Sequence, residues 1–197
     1  MCGIVGIASE DQVTNKLITG LLRQEYRGYD SSGLAVFGKD ANQVKVIKRA
    51  GKVSELEEAI KGNPMIGNTG IAHTRWATHG IPTESNAHPH HSNEEVFVVH
   101  NGIIENYQEL RTTLLALGYE FESETDTEVI AHLVHAKLEE VGSLSGAVKK
   151  AVKDLEGAYA IGVIHIKEPQ LIVAARKGSP LVLGMGNDEN LIASDQL

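Results

Sequence analysis

Cysteine is nearly absent: Cys2 is the single one in 197 residues. No internal disulfide can form, which matches a reducing compartment. Basic charge is also scarce, with 18 Lys and Arg against 26 Asp and Glu and a net charge of −8. That balance gives no support for nucleic acid or an anionic membrane surface as a partner. No apolar run approaches a membrane span, and no basic segment followed by an apolar one opens the chain. Internal repeats, low-complexity linkers and a Gly-rich loop opening a helix, the device that cradles phosphate, are missing as well. These absences point to a soluble cytoplasmic protein with no nucleic-acid and no membrane partner. What is present is ordinary globular material, 42% hydrophobic and 22% charged, in a length that suits one domain able to bury about 70% of its unfolded surface.

The hydrophobic period changes repeatedly along the chain. Cys2–Ala8 is small and apolar and reads as a buried strand, and Val13, Leu17 and Leu21 with Ile18 and Leu22 mark a helix through about Tyr26. Gly33–Gly38 and Gln43–Arg49 read as strands joined by a Lys39–Asn42 turn, followed by a capping box at Ser54–Glu57 that opens a short helix. Thr69–Trp76 and Glu95–His100 are further strands, separated by a long loop over Gly80–Asn93. Asn106 resembles a second cap, ahead of a helix that stops at Gly118. Two more helices follow, striped by Ile130, Leu133, Val134 and Leu138, and by Leu144, Val148, Val152 and Leu155. The remainder is strands alone: Ala158–Ile166, Leu171–Arg176, Leu181–Gly184 and Leu191–Ala193. Strands in succession without crossover helices pair antiparallel, so the class expected is α+β.

Cys2 follows Met1 directly, and a Met ahead of so small a residue is normally removed. Cys2 would then carry a thiol of pKa about 8.5 beside an α-amine of pKa about 7.7–8.0, and the amine can act as base for the thiol. The ordinary alternative is a small buried hydrophobe at the start of a strand. Four other segments stand out: Tyr26–Ser31, His73–Gly80, His100–Gly102 and Ser123–Glu128. Each has a plain reading as a turn, a hairpin or a helix cap, and Trp76 alone reads as core and Arg75 alone as a surface charge. Together they suit attack by Cys2 on a carboxamide. Asn101 and Gly102 supply side-chain and backbone N–H donors for an oxyanion. Arg75 and Asp126 suit the α-carboxylate and α-ammonium of an amino acid. The Gly80–Asn93 loop is then a lid that excludes water.

The segments Met-Cys-Gly-Ile-Val-Gly, Glu-Tyr-Arg-Gly-Tyr-Asp-Ser, Ala-His-Thr-Arg-Trp-Ala-Thr-His-Gly, Asn-Ala-His-Pro-His, Val-His-Asn-Gly-Ile-Ile-Glu-Asn and Ser-Glu-Thr-Asp-Thr-Glu resemble the class II glutamine amidotransferases. Within them the wording is most similar to the branch that aminates fructose 6-phosphate, from Cys2 through Ala193-Ser194-Asp195-Gln196. The resemblance implies an N-terminal-nucleophile hydrolase fold, a four-layer αββα sandwich of antiparallel sheets. It implies glutamine hydrolysis through a γ-glutamyl thioester on Cys2, with Asn101 and Gly102 as the oxyanion hole, Arg75 and Asp126 holding glutamine, Trp76, Thr78 and His79 on a closing loop, and Arg27 positioning the site. It implies neither cofactor nor metal, and L-glutamine as the small-molecule partner. Residues 2–197 are expected to form a glutaminase domain ending short of the family's length. Fructose 6-phosphate would be reached only through isomerase domains outside this sequence, in a full-length homo-oligomer. Three alternatives remain: the glutaminase domain of an amidophosphoribosyltransferase, a metal site drawn from His88, His90 and His91 with His79 or His100, and a non-catalytic module that senses glutamine.

Overall fold

Strands with apolar residues on both faces need a cover on each side, and the chain provides it with four layers. The computed structural model describes residues 2–37 and 43–196; the turn expected at Lys39–Asn42 lies outside the described residues. In order, the elements are β1 (Gly3–Ser9), α1 (Thr14–Gln24), β2 (Ser31–Phe37), β3 (Val44–Ala50), α2 (Val53–Gly62), β4 (Thr69–Arg75), β5 (His90–Ser92), β6 (Val96–Ile104), α3 (Tyr107–Ala116), α4 (Glu128–Val141), α5 (Leu144–Ala151), β7 (Gly157–His165), β8 (Val173–Lys177), β9 (Val182–Met185) and β10 (Glu189–Ala193). A first sheet runs β3-β2-β4-β1-β10-β9 and a second β5-β6-β7-β8. Neighbouring strands within both are antiparallel. This is the expected αββα sandwich.

Strand alternation sorts the side chains between the layers. Ile4, Ala35, Phe37, Ile71, Phe97, Val99, Ala160 and Ile164 fill the space between the sheets. Their neighbours Val5, Ile7, Leu34, Val36 and Ala72 turn outward onto Leu17, Leu21 and Leu56 of α1 and α2. On the far side, Val96, Val98, Ile161 and Val163 meet Leu114, Ile130, Val134 and Val148 of α3, α4 and α5. Each such aliphatic side chain, fully buried, contributes about 1.5–3 kcal/mol. The same alternation matters for the site. Odd-numbered positions of β4 and β6 face the other sheet, so His73 and Arg75 continue the inward row of Ile71, and Asn101 that of Phe97 and Val99.

Several local expectations change. The first helix ends at Gln24 and tightens into a 3-10 turn at Glu25–Arg27, closed by Gly28 at φ 101°. The Ser54 capping box does not form: α2 starts at Val53, whose N–H donates to Glu25 Oε1 at 2.8 Å, so a carboxylate from the 3-10 turn that follows α1 does the capping. Asn106 does occupy the N-cap position of α3 without capping it. Its amide instead donates to Asp154 O at 2.9 Å and accepts from Glu156 N at 3.1 Å, tying down the loop before β7. Strand β6 runs on to Ile104, so Asn101-Gly102 is no hairpin turn; it pairs with Ala160 and Tyr159 of β7. The Gly80–Asn93 loop is not a lid along its length: Asn86, Ala87 and His88 are buried, and His90–Ser92 joins the second sheet as β5. What holds it is the Asn86 amide, which donates to Ile81 O at 3.0 Å and Glu124 Oε2 at 3.2 Å.

Candidate active site

Cys2 stands one residue ahead of β1, beside the end of β4, because Gly3 pairs with Thr74. Its half-buried Sγ accepts a hydrogen bond from Trp76 N at 3.1 Å. Burial pushes the thiol pKa up, and the Trp76 N–H opposes that by favouring the thiolate. A thiol held this way needs a base to become a nucleophile. Asn101 lies across from it on β6 and is buried; its Nδ2 donates to Cys2 O at 3.0 Å, and its Oδ1 is 2.9 Å from His73 Nε2. Gly102 follows at φ 135°, a left-handed conformation, and a Cβ there would lie 2.0 Å from Ala158 O. Only glycine fits.

These groups line a cavity of about 380 Å³ together with Arg75, Trp76, Thr78, His79 and Asp126, a volume at the small end of ligand sites, which run about 300–1,000 Å³. Arg75 is buried rather than exposed, at 3%, and Trp76 is exposed rather than core, at 54%. Both reversals have causes. The Arg75 guanidinium donates to the carbonyls of His79, Gly80 at 2.9 Å and Ile81 at 3.3 Å, and sits 3.5 Å from Asp30 Oδ1. The indole of Trp76 lies against Gly28, where a Cβ would come within 1.7 Å of Cε3. Asp30 anchors this turn by accepting from Ala77 N and from Ser31 Oγ at 2.8 Å.

Asp126, just ahead of α4, accepts from Ile104 N at 2.8 Å through Oδ2, and its Oδ1 is 3.9 Å from His79 Nδ1. Thr78 Oγ1 lies 3.2 Å from His79 Nδ1. Arg27 closes the other wall, donating to Ser194 O at 3.1 Å and Asp195 Oδ2 at 3.3 Å. Ser194 in turn fixes the start of β1, accepting from Ile4 N at 2.9 Å and donating to Gln24 Oε1 at 2.7 Å. All nine residues expected from the sequence, Cys2, Arg27, Arg75, Trp76, Thr78, His79, Asn101, Gly102 and Asp126, thus border one cavity.

In the sequence, the histidines behind that wall stood out only as a possible metal set (His88, His90 and His91 with His79 or His100), and His73 only as the start of the His73–Gly80 segment. His73 stacks on His88 with ring centroids 4.1 Å apart, and His90 meets His88 edge-on at 4.8 Å. Burial lowers His73 to about 3, His100 to about 4, and His88 and His90 far below the usual imidazole value, so all four are neutral at physiological pH. His88 Nδ1 accepts from His100 N at 3.2 Å, and His100 Nδ1 pairs with Thr127 Oγ1 at 2.8 Å. His91 turns elsewhere, towards Glu122 at 3.9 Å. Among the described residues, no three His, Cys, Asp or Glu side chains are grouped to hold a metal ion. No helix is long and apolar enough to cross a membrane among them either.

Comparison with known proteins gives the family and the fold. The glutamine amidotransferase domain family matches residues 73–196. The glutamine–fructose-6-phosphate aminotransferases (isomerizing) of Pseudomonas aeruginosa and Haemophilus influenzae are 59% and 58% identical to the chain over all of its 197 residues. The chain spans 32% of the length of each. Among solved structures, the glutamine phosphoribosylpyrophosphate amidotransferase of B. subtilis superposes with a TM-score of 0.81 at 26% identity, over 98% of this chain and 42% of that one. A glutamine aminotransferase class-II domain protein of Silicibacter pomeroyi, at 13% identity and TM-score 0.64, covers 98% and 88% and shares the fold. The chain belongs to the glutamine amidotransferase domain family.

Proposed function

We propose that this domain hydrolyses the side-chain amide of L-glutamine through a thioester on Cys2, and that within a longer protein the released ammonia serves the conversion of fructose 6-phosphate to glucosamine 6-phosphate. The observation that carries the reading is the meeting of Cys2 with Asn101 and Gly102 at one cavity wall, from opposite sheets. The 59% identity to the fructose 6-phosphate enzyme supports that branch; the amidophosphoribosyltransferase alternative has 26% behind it.

The chemistry runs as follows. Once Met1 is removed, the Cys2 α-amine takes the thiol proton and the thiolate attacks the glutamine side-chain carbonyl. Negative charge collects on the carbonyl oxygen, where the Asn101 Nδ2–H and the Gly102 N–H stabilise it. The C–N bond breaks as the ammonium returns its proton to the departing amine, giving ammonia and a γ-glutamyl thioester. Water, deprotonated by the same amine, then releases glutamate and restores the thiol. Asp126 receives the substrate ammonium. Arg75 receives the α-carboxylate by exchanging part of its hold on the His79–Ile81 carbonyls, which couples substrate binding to the position of Trp76, Thr78 and His79. Arg27 braces the wall through Ser194 and Asp195.

The test is a glutamine assay on protein whose N-terminus is defined by intact mass. Trimmed protein should yield glutamate and ammonia in equal amounts, and no glucosamine 6-phosphate when fructose 6-phosphate is added. Protein retaining Met1, whose Cys2 nitrogen is an amide, should be inactive. Equal rates from both forms would exclude the amine as base, and folded, trimmed protein that makes no glutamate would overturn the assignment.

A further inference from the structure

We infer that His73 is a positioning residue of the glutaminase reaction: a neutral Nε2–H donor that locks the Asn101 carboxamide so that its N–H faces the reacting carbonyl. The inference rests on the glutaminase reading above and concerns a residue outside the nine expected site positions.

An Asn side chain has an acceptor end and a donor end of nearly equal shape, so its orientation follows from its partners. Here one partner permits a single answer. The atom 3.0 Å from Asn101 Nδ2 is Cys2 O, a carbonyl oxygen that can only accept. The end facing Cys2 must therefore be the NH2, and the other end, Oδ1, faces His73 Nε2 at 2.9 Å. An oxygen there requires Nε2 to carry the proton, which selects one neutral tautomer of the imidazole. The alternative tautomer would set a lone pair against Oδ1. A flip of the amide to relieve that contact would set Oδ1 against Cys2 O and turn a lone pair towards the cavity, where a developing oxyanion would be repelled.

The surroundings keep His73 in this state. Its ring is fully buried and stacked nearly parallel, at 13°, on His88. Burial lowers its pKa to about 3, so protonation does not disturb the contact at working pH. The groups facing it are His88 and His100, both also held neutral by burial, and the permanent charge of Arg75, which further disfavours a second proton. His73 and Asn101 meet across the two sheets because each occupies an inward position of its strand. A hydrogen bond between layers thereby fixes a donor whose loss, in an oxyanion hole, costs about 10²–10³ in kcat.

The test uses trimmed protein and three variants. His73→Met keeps bulk but has no donor. His73→Gln can place an amide N–H near the position of Nε2. His73→Met/Asn101→Ala asks whether the effect travels through Asn101. On the inference, wild type hydrolyses glutamine and His73→Met lowers kcat by about 10–100-fold with KM within about threefold. His73→Gln recovers most of kcat, and the double variant is no slower than Asn101→Ala alone. A Met variant with unchanged kcat, a Gln variant as slow as Met, or multiplicative losses in the double variant would each overturn it. Nitrogen-15 NMR of histidine-labelled wild type gives a check independent of how the variants fold: His73 should be the Nε2–H tautomer throughout pH 5–8, and the Nδ1–H tautomer would sink the inference. If wild-type protein itself fails to hydrolyse glutamine while NMR shows the Nε2–H tautomer, the functional reading has failed and the locked amide stands.

Discussion

Replacing Glu128 by Gln should cost stability in a way that pH reveals. The Glu128 carboxylate accepts from Glu122 N at 2.8 Å, Ser123 N at 2.8 Å and Ser123 Oγ at 2.6 Å, and lies 3.6 Å from His132 Nε2. Burial alone would raise its pKa; the His132 ring 3.6 Å away and the hydrogen bonds from the Ser123 hydroxyl and the two backbone N–H groups outweigh that and hold it at about 2, against 4.5 for a free side chain. The difference corresponds to little more than about 3 kcal/mol at neutral pH, and discounting for the titratable groups around Glu128 leaves about 2–3 kcal/mol. Because the folded pKa is the lower one, the stabilisation is complete above about pH 5 and drains away as pH falls from 4.5 towards 2. Glu128→Gln should lower Tm by about 5–10 °C at pH 7, for a domain of this size, with the gap to wild type shrinking by more than half at pH 3. Thermal melts at the two pH values decide it. An unchanged Tm at pH 7, or a gap as wide at pH 3, would refute the reasoning.

Two substitutions separate binding from chemistry in steady-state glutamine assays. Asp126→Asn should chiefly raise KM, while Asn101→Ala should lower kcat by about 10²–10³-fold with a smaller change in KM; equal effects on both parameters would remove the distinction between their roles. Gly102→Ala should lose nearly all activity and unfold at lower temperature, since its Cβ would stand 2.0 Å from Ala158 O, and near-wild-type kcat would show that the strand gives way without disturbing the donor.

Much of the site was legible because its residues sit in short contiguous words at strand ends. Cys2, Arg75, Asn101 and Asp126 each carry a chemistry that their residue type announces, and the structure gathers all four. The α+β class was legible too, from strands in succession without crossover helices, while the four-layer order followed only from the resemblance. What stayed hidden was pairing across distance. Nothing local says that Glu25 caps the helix at Val53, because the donor and acceptor meet only when α1 and α2 dock. Arg75 looked like a surface charge because its partners are carbonyls of a turn, and backbone acceptors leave no mark on composition. Trp76 looked like core because large aromatics usually are, whereas a bare glycine surface at position 28 lets it lie on the rim. His73 opens a segment that stood out in the sequence, yet its partner on the other sheet, Asn101, could not be read from it.

Cys2 stands at the end of an inner strand of one sheet and Asn101 on an inner strand of the other, and stacked sheets stand about 10 Å apart. The gap between nucleophile and oxyanion donor is therefore a property of how two layers seat on each other, set by Ile4, Phe97, Val99 and their neighbours. Secondary structure can persist while such seating loosens. Turnover in this architecture works as a gauge of interlayer spacing, and would report a swollen interior before any spectroscopic loss of strand or helix.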